Sequence, residues 1–236
     1  MARQGKLYLI PTVIAEGTHE AVIPSSVKRE LINIQHFLAE DIRTARRYLS
    51  SLKIYSSIES LDFKLLNKNT AETELSDLFA PLMKGKNLGV LSESGCPGVA
   101  DPGAIAVKYA HQNGINVVPL VGPSSILLSL MASGLNGQQF AFHGYLPIDA
   151  KEAMQSIRVL EQESRTKNQT QIFIETPYRN NQVAANLFKG LHPETLLCIA
   201  VDVSGSQESI SMHPVKEWKL KPVKLPKLPA VFLFLA

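Results

Sequence analysis

The fold is decided by the stretch SESGCPGVADPG, residues 92–103, which joins an apolar run to a helical pattern. The run Leu88–Ser92 has the length and composition of a buried strand, and residues 102–113 carry apolar side chains at helical spacing. Asp101 and Pro102 suit the N-cap and first turn of that helix. A strand that leads through a loop into a helix is the repeating unit of a parallel sheet covered by helices. The stretch therefore predicts an α/β fold.

The same alternation extends along the rest of the chain. Strands are predicted at 6–11, 34–39, 61–66, 88–92, 115–120, 140–145, 171–175, 196–202, 209–213 and 230–235. Helices are predicted at 25–33, 44–52, 70–84, 102–113, 124–133, 150–164 and 180–189. Strands that alternate with helices form parallel sheets, whereas the last strands follow one another directly. We therefore expect two α/β domains, residues 1–120 and 121–236, with a mostly parallel sheet in the first and a mixed sheet in the second.

The composition is that of a globular protein: 45% of the 236 residues are hydrophobic and 19% are charged. No apolar run approaches the roughly 18 residues that cross a bilayer, and the start of the chain lacks the pattern of a signal peptide. Two isolated cysteines, Cys96 and Cys198, suit a reducing compartment. We expect a soluble, cytoplasmic protein. Its net charge of +3 is too small to indicate a nucleic-acid partner by itself.

The lysine- and proline-rich stretch Lys216–Lys227, KEWKLKPVKLPK, differs from everything before it. Proline removes the backbone donors that a helix or a central strand needs, so we expect an extended surface loop. Its lysines are interpreted as solvated, with contact to nucleic acid as the alternative.

The loop at 92–103 is also the best candidate for ligand binding. It follows the carboxyl end of a buried strand, where open α/β sheets bind their ligands. Gly95, Gly98 and Gly103 allow the backbone to approach a ligand closely. The loop matches neither the dinucleotide-binding nor the phosphate-binding glycine pattern. Cys96 has no identifiable base, so we interpret it as a small loop residue rather than a nucleophile.

Three further segments carry candidate groups at strand ends. Residues 117–125, VVPLVGPSS, precede a helix whose free amides could bind an anion, or could simply be capped. Residues 39–43, AEDIR, and 174–179, IETPYR, combine acids with arginine. Such groups could orient a hydroxyl nucleophile or hold a phosphate, or could form a salt bridge and a helix cap. His143 lies in a turn and is expected to be an ordinary core or surface histidine.

Taken in order, these segments resemble the tetrapyrrole methylase superfamily of S-adenosylmethionine-dependent methyltransferases. The resemblance is carried by PT at 11–12, AEDIRTARRYL at 39–49, SESGCPGVADPGA at 92–104, VVPLVGPSS at 117–125, FHGYLP at 142–147 and IETPYR at 174–179. Within the superfamily, the pattern is similar to the branch that methylates a cytidine ribose 2′-hydroxyl in small-subunit ribosomal RNA. The long loop motif is specific, and the resemblance covers nearly the whole chain.

The resemblance implies two α/β domains with S-adenosylmethionine in the cleft between them, a homodimer, ribosomal RNA or the small ribosomal subunit as the partner, and no metal. It implies these cofactor-binding residues: Pro11, Thr12, Ser92, Glu93, Ser94, Gly95, Pro97, Gly98, Val99, Asp101, Pro102, Pro119, Gly122, Pro123, Ser124, Phe142, Gly144 and Tyr145. On the acceptor side we predict Glu40, Asp41, Arg43, Glu175 and Arg179. There the acids would orient or deprotonate the hydroxyl and the arginines would contact phosphate.

Three departures from the branch bear on the acceptor. The first loop reads PTVIAEGT where the branch usually has Pro-Ile-Gly-Asn, and residues 202–206 read DVSGS where it has Arg-Glu-Leu followed by Thr-Lys. The branch often continues past the last strand, whereas this sequence ends at Ala236. Two alternatives therefore stay open. One is a methyltransferase for a small molecule such as a tetrapyrrole, and the other is a non-catalytic RNA- or ribosome-binding module that retains the cofactor pocket.

Overall fold

A computed structural model describes residues 4–220 and 223–236 and divides the chain into two compact units, one ending at Ser124 and the other beginning at Ser125. The strands of the first unit are β1 (Leu7–Ile10), β2 (His36–Ala39), β3 (Asp62–Leu65), β4 (Leu88–Leu91) and β5 (Val117–Pro119). Its helices are α1 (His19–Val22), α2 (Ser25–Leu31), α3 (Ile42–Ser51), α4 (Leu75–Leu78), α5 (Ala80–Met83) and α6 (Gly103–Gln112). A 3-10 turn, Glu72–Glu74, precedes α4.

The second unit has its own sheet and helices. The strands are β6 (Phe140–Phe142), β7 (Thr170–Glu175), β8 (Leu196–Val201), β9 (Ser209–Pro214) and β10 (Ala230–Leu235). The helices are α7 (Ser125–Ser133), α8 (Ala150–Lys167), α9 (Asn180–Gly190) and α10 (Val215–Trp218). Among the residues in the two described ranges, no helix is both long and apolar enough to span a membrane.

The first sheet is parallel throughout, in the order β3-β2-β4-β1-β5. Its three central strands, β1, β2 and β4, are largely buried on both faces, and neighbouring side chains along each strand point to opposite sides. Ile10 and Phe37 thus enter one apolar cluster, whereas Leu7, Leu38 and Val90 enter another. The connections that leave the neighbouring strands β1 and β4 run in opposite directions across the sheet. This arrangement opens a crevice outside their carboxyl ends, the place where such sheets bind ligands.

The second sheet is mixed, in the order β6-β7-β10-β8-β9, with one parallel pair, β6 and β7, among the pairs the structure describes. Alternate side chains again separate into two apolar clusters: Phe173 and Phe232 lie in one, and Ile172 and Leu233 in the other. The predicted α/β class, with a parallel first sheet and a mixed second sheet, is confirmed.

The single helix predicted at 70–84 is wrong in detail, because the segment breaks into the 3-10 turn, α4 and α5. Pro81 has no amide to donate to the carbonyl of Asp77, four residues earlier. That carbonyl accepts a hydrogen bond from Lys64 Nζ at 3.2 Å instead. Lys64 of β3 thus supplies the hydrogen bond that Pro81 cannot donate to the Asp77 carbonyl. A new helix, α5, begins after Phe79.

The extended loop predicted at Lys216–Lys227 is also partly wrong. Its start lies in α10, whose last residue, Trp218, donates from Nε1 to Leu197 O at 2.8 Å and stacks on Phe188. The prolines of this stretch begin only at residue 222, so nothing prevents one helical turn before them. Residues 221–222 lie outside the described residues.

Candidate functional site

Three loops of the first unit meet at the carboxyl ends of β1, β4 and β5. The amide of Thr12 donates to Gly95 O at 2.9 Å, which joins the first loop to the second. At Gly122 in the third loop, a Cβ would lie 2.1 Å from Pro11 Cβ, so only glycine allows this approach. The Cys96 thiol donates to Pro123 O at 3.3 Å. These contacts bring together, within one unit, most of the residues that the resemblance assigns to the cofactor.

The long loop at 92–103 is held by its own side chains. One carboxylate oxygen of Asp101 accepts from the amides of Gly98 at 2.7 Å and Gly103 at 2.6 Å. Burial raises the pKa of Asp101, and these two hydrogen bonds act in the opposite direction. The N-cap of α6 is Pro102, so the prediction that Asp101 is the cap residue is off by one position. Its carboxylate nevertheless satisfies the first amide of the helix.

The two cysteines are free thiols. Burial raises the pKa of Cys96, so its thiol stays protonated at neutral pH. A nucleophile needs the thiolate. The structure therefore supports the interpretation of Cys96 as a small residue that links two loops. Burial also raises the pKa of Cys198, to about 11.

A pocket of about 370 Å³ opens beside these loops. We call it the site pocket; it is lined by Thr12, Val13, Ile14, Glu16, Gly17, His19, Thr44, Ala45, Arg47, Tyr48, Ser51, Ser92 and Glu93. Thr12 is buried and its hydroxyl has no hydrogen-bond partner within the described structure. Buried hydroxyls are normally paired, so an unpaired one on a pocket wall is a group available to a ligand. Tyr48 fixes the floor by donating to Pro11 O at 2.8 Å.

Glu40 lies at the carboxyl end of β2, near two other acids. Burial raises its pKa, and the carboxylates of Glu93 and Asp101 raise it further, against a smaller opposing effect of Lys68. Like charges and burial both disfavour ionisation, so this carboxylate holds its proton to higher pH than an exposed one. Acids and bases at active sites commonly have such surroundings.

The side chains of Asp41 and Arg43 differ in the contacts that they make within the protein. The Asp41 carboxylate accepts from the Thr44 amide at 2.7 Å and is the N-cap of α3. This hydrogen bond is the main reason that the pKa of Asp41 is lowered. Arg43 is exposed, and no carboxylate among the described residues lies within 4 Å of its guanidinium. The capping alternative thus applies to Asp41 and leaves Arg43 available.

Glu175 and Arg179, in the second unit, form an internal pair. The Glu175 side chain is 1% exposed, and its Oε2 lies 3.2 Å from Arg179 Nη1. Its other oxygen accepts from the Thr176 amide at 2.7 Å. Arg179 also donates to the carbonyls of Leu146 and Pro147. The salt-bridge alternative therefore describes this pair, which ties the end of β7 to the segment 142–147.

That segment extends the edge of the second sheet. Gly144 adopts a φ of +68°, and its carbonyl accepts from the Ile174 amide at 2.9 Å. His143 is an exposed residue whose Nε2 lies 2.6 Å from Gln171 Oε1, in agreement with an ordinary structural histidine. Tyr145 is 55% exposed. Phe142, Gly144 and Tyr145 are thus presented on one short turn.

Several residues of the site pocket were not predicted from the sequence; most lie on α3 and on the loop after β1. Thr44 and Tyr48 lie within the motif at 39–49 and share one helix face with Ser51, just beyond it, so the helical spacing could have indicated all three. Arg47 carried no signal beyond its charge. Among residues 4–220 and 223–236, no group of three or more His, Cys, Asp or Glu side chains is arranged to hold a metal ion.

Comparison with known proteins relates both the sequence and the fold to methyltransferases. No family model matches the chain. It is 28% identical over 214 residues to the ribosomal RNA small subunit methyltransferase I of Escherichia coli O157:H7, covering 91% of this chain and 71% of that protein. It is 32% identical over 176 residues to the protein of that name from Halalkalibacterium halodurans, covering 75% and 57%.

Two solved structures share the fold along almost the whole chain. The uroporphyrin-III-C-methyltransferase of Thermus thermophilus matches with a TM-score of 0.55 and 18% identity, covering 98% of this chain and 92% of that one. The methyltransferase CobJ matches with a TM-score of 0.61 and 15% identity, covering 97% and 93%. The sequence relatives are ribosomal RNA methyltransferases and the two solved structures are methyltransferases with the same fold, as the resemblance to the tetrapyrrole methylase superfamily implies. The predictions of this family and of a methyltransferase, which uses a methyl donor, are confirmed.

Proposed function

We propose that this protein transfers a methyl group from S-adenosylmethionine to a ribose 2′-hydroxyl of small-subunit ribosomal RNA. We further propose that it does so as a cytoplasmic homodimer. The observation that carries the proposal is the meeting of the three candidate cofactor loops at a pocket whose wall holds the unpaired hydroxyl of Thr12. The names of the curated relatives support the choice of ribosomal RNA.

The residues of the first unit fit the cofactor. The glycine-rich loops expose backbone amides and carbonyls that can hold the polar parts of a nucleoside and an amino acid. Thr12, in the loop after β1, supplies a hydroxyl that has no hydrogen-bond partner among the described residues. The exposed Val99 offers apolar surface on the loop at 92–103. S-adenosylmethionine, when bound, supplies a methyl group that is already electrophilic. The chain therefore has to align the acceptor and take up or relay one proton.

On the acceptor side, we propose separate roles for the residues at the two strand ends. Glu40 takes or orients the hydroxyl proton, since its raised pKa suits a proton acceptor better than an ordinary exposed carboxylate. Asp41 fixes the start of α3 and so places Arg43, which contacts phosphate. Glu175 and Arg179 act as positioning residues that hold the 142–147 turn.

The experiment is a methyl-transfer assay with two acceptors, purified small ribosomal subunits and a uroporphyrinogen-type tetrapyrrole. We expect labelled methyl to enter RNA. Label that enters only the tetrapyrrole would support the second candidate function, which the uroporphyrin-III-C-methyltransferase fold favours. Cofactor binding without transfer to either acceptor would support the non-catalytic module.

Variants test the acceptor-side assignment in the same assay. Glu40→Gln should lower the turnover number by roughly 10²-fold or more, the usual contribution of general acid–base catalysis. Asp41→Asn keeps the cap and should lower turnover less. Both variants should bind the cofactor like the unaltered protein, and Glu30→Gln, an exposed change on α2, is the matched control. Parallel loss of cofactor affinity would contradict an acceptor-side role.

A further inference from the structure

The outer face of α3 carries three arginines that the proposed reaction does not fully use. Arg43, Arg46 and Arg47, followed by Ser50, have the spacing i, i+3, i+4 and i+7, which places them on one side of a helix. All four are exposed. The opposite side, with Tyr48 among its residues, is buried in the core of the first unit. We call the exposed side the basic face of α3; it consists of Arg43, Arg46, Arg47 and Ser50.

The arginines of the basic face form no close ion pair among the described residues. Within the described part of the chain, no carboxylate lies within 4 Å of any of the three guanidiniums. Exposed lysines elsewhere do form such pairs, as Lys167 does with Glu163 at 2.9 Å and Lys216 with Glu194 at 2.7 Å. The charge of the basic face is therefore available to an external anion.

A groove of about 460 Å³ runs beside this face. Its polar lining includes Arg46, Arg47, Ser50, Ser56, Ser57 and Glu59. Arg46 lies over the Phe63 ring, 5.2 Å from its centroid. The flat face of the guanidinium packs against the ring, which fixes its orientation. The N–H groups in the guanidinium plane can then still donate hydrogen bonds to a ligand. A preordered guanidinium fork beside serine hydroxyls matches the oxygens of a phosphate group.

One acid shares the groove and sets its charge. Glu59 accepts from the Ser57 hydroxyl at 2.6 Å, and this bond, assisted by Arg46, lowers its pKa, so it is ionised at neutral pH. Two guanidiniums and one carboxylate give the groove a net charge of +1. This charge complements the single negative charge of one backbone phosphate in a nucleic acid.

Arg47 connects the groove with the candidate reaction centre, because its side chain lines both the groove and the site pocket. A phosphate in the groove and a ligand in the site pocket would therefore be separated only by the side chain of Arg47. We propose that the basic face of α3 and its groove bind the phosphate backbone of RNA next to the acceptor nucleotide. This inference rests on the proposed function, since it takes RNA as the substrate.

The test measures how the affinity for a ribosomal RNA fragment depends on salt. Each phosphate contact contributes about 0.7 to the slope of log K against log salt concentration for a single strand. Arg46→Gln and Arg47→Gln should each lower the slope by about that amount and weaken binding roughly tenfold at moderate salt. Arg46→Lys should restore the slope but only part of the affinity, because it keeps the charge and loses the fork.

A matched control removes the same charge elsewhere on the first unit. Lys84 and Lys86 are exposed and precede the amino end of β4, whereas α3 begins beyond the carboxyl end of β2. Lys84→Gln and Lys86→Gln should leave the slope unchanged. Thermal unfolding of each variant, together with calorimetric binding of S-adenosylhomocysteine to Arg46→Gln, should match the unaltered protein, which would show that fold and cofactor pocket are intact.

The outcomes separate this inference from the proposed function. If the unaltered protein methylates ribosomal RNA but the arginine and lysine variants all keep its slope, the phosphate site is refuted and the function stands. If Arg46→Gln lowers the slope although no methyl reaches RNA, the surface stands and the proposed reaction is refuted. If the unaltered protein binds RNA with no salt dependence, the inference is overturned.

Discussion

At the scale of single residues, two side chains of the candidate site, Thr12 and Glu40, have surroundings that lower the stability of the folded protein. The Thr12 hydroxyl is buried and has no hydrogen-bond partner among the described residues, and the Glu40 carboxylate is half-buried near other acids. Both features cost stability, and natural proteins accept such costs mainly at functional sites. Each therefore predicts a substitution that weakens function while it strengthens the fold.

Thr12→Val replaces the unpaired hydroxyl with a methyl group of similar size. We expect the free energy of unfolding to rise by about 1 kcal/mol, because an unsatisfied buried polar group is removed. We expect the affinity for S-adenosylhomocysteine to fall roughly tenfold, the value of one hydrogen bond. Thr12→Ser keeps the hydroxyl and is the control in both calorimetry and thermal unfolding. Unchanged affinity in Thr12→Val would remove Thr12 from the cofactor site.

Glu40→Gln should change stability in a way that depends on pH. The folded-state pKa of Glu40 is raised above its ordinary value of 4.5, so the folded protein binds more protons than the unfolded chain in the window just above that value. Stability from this group is present at lower pH and is lost as the pH rises through the folded-state pKa. Glu40→Gln should therefore raise the melting temperature at pH 7 and lose this advantage below about pH 4. An equal shift at both pH values would exclude ionisation as the cause.

At the scale of elements, the contact between the first and third loops depends on Gly122, a backbone position where a Cβ does not fit. Gly122→Ala would force the third loop away from Pro11. We expect it to destabilise the protein by about 1–3 kcal/mol, as overpacking does, and to abolish measurable cofactor binding. Gly114→Ala is the control, because Gly114 has a φ of +64° but open space around it. It should cost about 1 kcal/mol and leave cofactor affinity unchanged. Equal affinities in the two variants would contradict the role of the loop contact.

The carboxylate of Asp101 holds the loop at 92–103 through hydrogen bonds to two of its amides. Asp101→Asn retains an oxygen that can accept both amides and should change stability little. Asp101→Ala leaves the amides of Gly98 and Gly103 without that acceptor, which should cost about 2–3 kcal/mol. Denaturant unfolding compares the two variants. If they are equally stable, the hydrogen bonds do not organise the loop.

The elements also show what a sequence can and cannot predict. The buried strands were predictable because continuous apolar runs between glycine and proline signals have few other interpretations, as at Leu88–Leu91. The break near Phe79 is signalled in the sequence by Pro81, whereas the hydrogen bond from Lys64 to the Asp77 carbonyl is a tertiary contact that no local pattern predicts. Likewise, the motifs located the loops of the site, but only the fold could show that Asp41 caps α3 and that Arg43 has no carboxylate within 4 Å among the described residues.

At the scale of the whole molecule, the two units divide the candidate residues unequally. The first contains the three loops, the site pocket and the basic face of α3. The second contributes the 142–147 turn and the Glu175–Arg179 pair that holds it. The departures of this sequence from the ribosomal RNA branch fall in both units, at the loop after β1 and at residues 202–206. The segment after β8 is a tight turn in which Gln207 N donates to Asp202 Oδ2 at 2.8 Å.

These departures bear on which molecule accepts the methyl group, so the identity of the acceptor is the property to measure first. The most direct measurement uses small ribosomal subunits from a strain that lacks this gene. They are incubated with the purified protein and labelled S-adenosylmethionine, and the methylated nucleotide is located by mass spectrometry of nuclease fragments. We predict close to one methyl group per subunit, on a single ribose 2′-hydroxyl. Absence of label from the RNA, with cofactor binding intact in the same preparation, would contradict the account.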